Sequence, residues 1–171
     1  MQTLAIVLRL FHVISAVFWV GGLTLLTVFI TPAIGATGQV GEKFMQYLMS
    51  RTKLTVFMPG VGLVTVLSGL ALYWRNTSMS AGTFASSPPG MTYGVGGLAG
   101  IIALIVGVIM IGRSGNELGR IGAAIGASGG PPSSEQIERI AMLRGRITTG
   151  NQVTWALMLV AVSAMAVARY L

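Results

Sequence analysis

The sequence predicts an all-α fold: a polytopic four-helix membrane bundle, built as a single integral membrane domain over residues 1–171. Three observations carry that expectation. Hydrophobic residues make up 53% of the chain and charged residues 9%, where soluble domains carry roughly a quarter charged residues. The mean hydropathy is +0.79. The apolar residues are gathered into four runs near 8–31, 55–74, 94–112 and 151–169, each close to the ~20 residues that cross a bilayer as a helix.

The first run holds the chain's only histidine, His12, followed at helical spacing by Ser15, Ala16, Trp19 and Gly22. It begins with Met1-Gln2-Thr3, without the basic start of a signal peptide, and its apolar stretch is too long for one, so it is expected to remain as a span. The connection 32–54 carries Lys43, Arg51 and Lys53, and Gly41 to Lys53 reads as a helical lead-in to the second span. Pro59 lies inside that span, where a missing N–H should kink the helix unless it starts later. The segment Asn76 to Gly90 reads as a polar loop.

The third run, 94–112, is rich in small residues, and the connection 113–150 follows it. From the end of the third run into that connection, Gly112 to Gly130 is dense in glycine, alanine and serine, and its second half reads as flexible. Pro131-Pro132-Ser133-Ser134 followed by Glu135 and Gln136 reads as a stop and then a capped helix start. Glu135 and Arg139, four apart, are placed to pair on that helix.

An even number of spans puts both termini on one side. The connections 32–54 and 113–150 hold eight of the lysines and arginines, and the other side holds only Arg9, Arg75 and Arg169. The positive-inside bias therefore assigns those two connections to the cytoplasm and both termini to the outside, in what is expected to be a bacterial inner membrane. Tyr73, Trp74, Tyr93 and Tyr170 fall at the outer ends, where interfacial aromatics belong. The net charge of +7 is thus read as loops facing anionic lipid, with the bilayer rather than nucleic acid as partner.

Small residues are expected to let the helices approach, since lipid supplies no hydrophobic drive for association. The candidates are Gly21 and Gly22 on the first span, Gly62 and Gly69 on the second, and Gly96, Gly100 and Gly107, with Ala103 between, on the third. Gly21-Gly22-Leu23 matches Gly96-Gly97-Leu98, and Arg51-Thr52-Lys53-Leu54-Thr55 resembles Arg144-Gly145-Arg146-Ile147-Thr148. Two pseudo-repeated helical hairpins would produce that pattern.

The chain has no cysteine and no aspartate, and its four glutamates all lie outside the apolar runs. Disulfides and thiolate sites are excluded. One histidine without a membrane-buried acid cannot assemble a triad, a paired-carboxylate site or HExxH, so a binding or accessory role is expected over catalysis. The remaining candidate is His12. An imidazole at that depth needs either a hydrogen-bond partner on a neighbouring helix or a metal or haem iron. Arg9, one turn outward, is placed to pair with haem propionates or to snorkel to headgroups, and Trp19 lies on the same face. Haem b and copper are the two cofactors that suit such a site; for copper, Met79 and Met91 on the outer side are thioethers that would have to converge on it, and packing is the better reading of both.

The run His12-Val13-Ile14-Ser15-Ala16-Val17-Phe18-Trp19-Val20-Gly21-Gly22 resembles the H-x6-W-x-G-G signature that opens the CopD-like (copper resistance protein D) membrane domain and related small membrane proteins. Pro59 followed by Leu67-Ser68-Gly69-Leu70, and the close Met165 to Leu171, are similar to the same family. The resemblance implies a four-helix bundle with the histidine at the outer end of the first helix, and an association with copper. A more distant similarity, in His12, the Trp19/Gly22 region and Asn116-Glu117, is to the HemJ-type protoporphyrinogen oxidase, and it implies haem at the histidine. Three functions follow as expectations: a cofactor-binding membrane protein, a non-catalytic accessory subunit of a larger redox or photosynthetic membrane complex, and a porphyrinogen oxidase.

Overall fold

The computed structural model describes residues 2–171; Met1, the first residue of the opening span's uncharged start, lies outside them. The described chain is helical almost throughout, and four helical units are long and apolar enough to cross a membrane: Gln2–Thr37, Leu54–Met79, Pro88–Ser128 and Ser134–Tyr170. The protein is an integral membrane protein built as an all-α four-helix bundle.

The first unit comprises α1 (Gln2–Thr24), a π-helical stretch over Leu25–Ile30, and α2 (Thr31–Thr37). Gly38, at φ +54°, turns the chain back into α3 (Gln39–Arg51). A residue with a side chain would be strained in that backbone conformation. The second unit is α4 (Leu54–Met79). It starts five residues before Pro59, so the proline falls in the second turn, near the end that carries α3, rather than midway along the helix. A short α5 (Thr83–Ser86) precedes the third unit, α6 (Pro88–Val106), a second π-helical stretch over Gly107–Gly112, and α7 (Arg113–Ser128). The fourth is α8 (Ser134–Val167), closed by a 3-10 turn over Ala168–Tyr170.

Two segments read from the sequence as irregular are ordered. Within Asn76 to Gly90, α4 persists to Met79 and α5 follows, and Ser87 then caps α6 by accepting the Gly90 N–H at 3.1 Å. Pro88 in the first turn has no N–H to leave unpaired and a φ already set for helix. Phe84 packs edge-on to Tyr73 and stacks on Tyr93, with ring centroids 5.7 and 6.3 Å away, which pins α5 to α4 and α6. The half of Gly112 to Gly130 expected to be flexible is helix up to Ser128 and ends only where Gly129 turns left-handed at φ +63°. Packing of α7 along α8, with Ile121 and Ile125 half-buried, overrides the weak helix propensity of its glycines.

The start of α8 has the expected cap. Ser133 accepts the Gln136 N–H, and the Gln136 side chain returns to the Ser133 N–H at 2.9 Å. Ser133→Ala is expected to cost about 1 kcal/mol and to speed amide exchange in the first turn of α8, measured at Gln136. The intrahelical pair Glu135–Arg139 does not form. Arg139 reaches Glu117 of α7 instead at 2.6 Å, and Arg144 reaches Glu42 of α3, also at 2.6 Å. The docked neighbours offer carboxylates at better range than the same helix does. At ~1.5 Å per residue the 34 residues of α8 run to about 51 Å, against a hydrocarbon core of ~30 Å. Its N-terminal part therefore stands beyond the membrane at the end carrying α3 and α7.

In the bundle α1 packs chiefly on α4, and α6 on α8, the hairpin pairing that the internal repeat predicts. The core cluster joins Trp19 and Leu23 of α1, Ala103 of α6 and Met158 of α8. Trp155 Nε1–H donates to Thr24 Oγ1 at 3.2 Å, linking α8 to α1. Large apolar residues such as Val17, Leu67 and Leu98 face outward, more than half exposed, as lipid permits.

The close approaches run through part of the expected glycine set. A Cβ on Gly22 would meet Met58 Sδ at 3.0 Å, one on Gly62 the Trp19 ring at 2.9 Å, and one on Gly69 the His12 ring at 2.8 Å. A Cβ on Gly96 would meet the Ala164 Cβ at 3.1 Å. Gly21, Gly100 and Gly107 have no such neighbour within 4 Å. On α6 the buried small stripe is Gly96, Ala99 and Ala103, a register displaced from Gly96, Gly100 and Gly107 because α8 lies over the former face.

Candidate functional site

His12, Ser15, Trp19 and Leu23 lie at i, i+3, i+7 and i+11 on α1, so they share the face turned towards the bundle. Ser15, Trp19 and Leu23 are buried there and His12 is half-buried. Facing them, α4 presents Gly62, Thr65, Ser68 and Gly69, with all but Gly69 buried. The imidazole lies against Gly69: a Cβ there would stand 2.8 Å from His12 Cε1 and 3.0 Å from Nδ1. Glycine is what admits the ring.

His12 Nδ1 lies 2.8 Å from the Thr65 carbonyl oxygen. A carbonyl only accepts, so Nδ1 carries the proton, and in the neutral ring Nε2 holds the lone pair. No protein hydrogen bond reaches Nε2 among the described residues. One turn inward the Ser15 and Thr65 hydroxyls bond each other across the helix pair at 2.8 Å. Of their two protons one lies between the oxygens, and the other goes to a carbonyl of the preceding turn, Phe11 or Val61. The Ser68 hydroxyl turns back onto the Val64 carbonyl of its own helix. Two interhelical polar contacts, both made at Thr65, therefore join α1 to α4, and one of them fixes the ring by one nitrogen.

The sequence-derived site residues separate on this frame. Arg9 is exposed one turn outward of His12 and makes no ion pair among the described residues; both salt bridges lie at the opposite end. Trp19, two turns inward, belongs to the packed core with its indole edge on Gly62, so the structure does not bring it to the imidazole. Met79 and Met91 are 65% and 55% exposed at the end of the bundle that carries the chain termini. Among the described residues no three His, Cys, Asp or Glu side chains converge as a metal group.

Glu117, of the pair Asn116-Glu117, is bound to Arg139 at the end where α7 packs on α8. Trp19, Gly62 and Leu104 lie at one level. His12 is seven residues outward of that level and Glu117 thirteen residues inward, so about 30 Å of helix rise separates them. An apolar groove of about 410 Å³, walled by Phe11, Phe18, Phe57 and Val64 with Ser15 at its floor, follows the lipid side of the α1–α4 seam; His12 is not among its walls.

Sequence reasoning did not name Thr65, named Ser68 only within the resemblance motif Leu67-Ser68-Gly69-Leu70, and read Gly69 as a packing residue and part of that motif. The signal available was the small polar triplet Thr65, Ser68 and Gly69 on an otherwise apolar span. No family model, curated protein or solved structure matches the chain.

Proposed function

We propose that this chain is a small haem-binding membrane protein in which His12 Nε2 is the one protein ligand of haem b near the outer face. The observation that carries the reading is the His12 Nδ1–H bond to the Thr65 carbonyl. Histidines that ligate iron or other metals donate their second nitrogen to a carbonyl or carboxylate, which fixes tautomer and ring orientation and raises ligand basicity. The donor set favours haem over a bare copper ion. The porphyrin brings four nitrogens and asks one ligand of the protein, whereas copper needs several donors, and the described residues offer one imidazole.

In this reading Thr65 and Gly69 hold the ring, the Ser15–Thr65 bond keeps α1 and α4 in register, and Arg9 supplies positive charge for the propionates at the interface. The haem supplies redox or small-ligand chemistry when bound. The distribution of lysine and arginine supports termini outside and the α3 and α7 end in the cytoplasm.

The test is the visible spectrum of the detergent-purified chain after haem loading, beside His12→Ala, with helix content checked by circular dichroism and copper measured on both samples. A Soret band with ligated character in the parent, lost in a folded His12→Ala, is the expected result. Identical spectra for the two proteins would overturn it. Stoichiometric copper lost on the same substitution would move the site to the copper reading. A colourless, metal-free protein recovered with a larger membrane assembly would favour the accessory role. Porphyrinogen oxidation by the loaded protein would place it with the oxidases.

A further inference from the structure

The α3 and α7 end carries a second, chemically distinct feature. Where α7 leaves the bundle and packs on the start of α8, an open groove of about 560 Å³ is lined by Arg113, Asn116, Glu117, Arg120 and Gln136. Its one acid is already neutralised, because Arg139 holds Glu117 with two nitrogens at 2.6 and 2.7 Å. Arg113 and Arg120 have no carboxylate partner among the described residues. Gln136 spends its carbonyl oxygen on the capping bond to the Ser133 N–H, which leaves its NH2 as the free end of the amide. The groove is thus two unpaired guanidinium groups plus amide donors around a cancelled charge, a donor set for an oxyanion.

Its depth says which one. Arg113 is the first charged residue since Arg75 and directly follows the apolar stretch Gly107–Gly112. It therefore stands where hydrocarbon gives way to headgroups. Arg120, seven residues on, reaches about 10 Å further into the headgroup and water region. We propose that this groove binds the phosphodiester headgroup of an anionic phospholipid from the leaflet at this end of the bundle. The site is independent of whatever His12 binds.

The test uses the delipidated full chain in neutral detergent, titrated with phosphatidylglycerol or with phosphatidylcholine of the same acyl chains, and bound lipid counted by native mass spectrometry. The parent is expected to take one phosphatidylglycerol in clear preference to phosphatidylcholine. Arg113→Gln/Arg120→Gln is expected to weaken that adduct on the order of thirtyfold, through the loss of two arginine charges near a membrane surface. Lys43→Gln/Arg146→Gln, which removes the same charge outside the groove, should change it less than about twofold. Should the groove double variant fail to fold, Arg120→Gln alone, at an exposed position, carries the same comparison. Equal uptake of the two lipids, or equal loss in both double variants, would overturn the proposal. Displacement of the adduct by excess inorganic phosphate would reassign the groove to a free phosphate and overturn the lipid assignment.

Discussion

Trp19→Ala is expected to destabilise the bundle by about 3–5 kcal/mol, because the indole is the largest side chain in the buried core. Trp19 is 7% exposed and shares its cluster with Leu23, Ala103 and Met158, which draws on α1, α6 and α8 together. Its indole edge rests on Gly62 of α4, so the fourth helix is in contact as well. Removing the ring leaves a cavity bounded by all four helices, which none can fill without breaking its other contacts. The measurement is reversible unfolding in mixed micelles, or a thermal midpoint, against the parent. A loss below about 1 kcal/mol would show that the indole is not the keystone of this packing. Trp19→Phe retains much of the volume and should leave any haem spectrum in place, because the indole packs two turns from the imidazole.

Gly69→Ala is expected to disable the histidine site while leaving the bundle folded. The added Cβ would lie within 3.0 Å of both Cε1 and Nδ1 of His12, well inside contact distance. The obstacle is a side-chain ring rather than backbone, so the ring swings away and the bond to the Thr65 carbonyl is lost. Because the chain has a single histidine, 15N-histidine labelling gives one ring to read by nuclear magnetic resonance. The parent should show the Nδ1–H tautomer, and Gly69→Ala should lose it along with the Soret band of the loaded protein. Retention of the Nδ1–H signature in the variant would show that the ring has room the structure does not provide.

The architecture is legible in the sequence because lipid imposes long apolar runs and satisfies no backbone group, so length and charge alone locate the helices. The cap at Ser133 is legible for the same reason that all local chemistry is: donor and acceptor lie within three residues. What the sequence hides is pairing at distance. Arg139 has a glutamate four residues behind it and another twenty-two behind it in the chain, and only the docking of α7 on α8 makes the second the nearer partner. Likewise the depth of His12 announces that it needs support, yet a carbonyl acceptor has no side-chain signature, so nothing in Thr65 itself marks it as the partner. The glycines divide in the same way. Composition marks Gly96, Gly100 and Gly107 alike, and the rotation of α6 against α8 decides which of them meets a neighbour.

The uninterrupted run of α8 has a mechanical consequence. Gly150 seats against Met110, where a Cβ would come within 2.8 Å, and the rod continues past that point both into the core at Met158 and out to the braces at Arg139 and Arg144. Such a rod joins the water-side segment and the membrane core into one continuous girder from Ser134 to Val167, with Gly150 as its point of nearest approach to Met110.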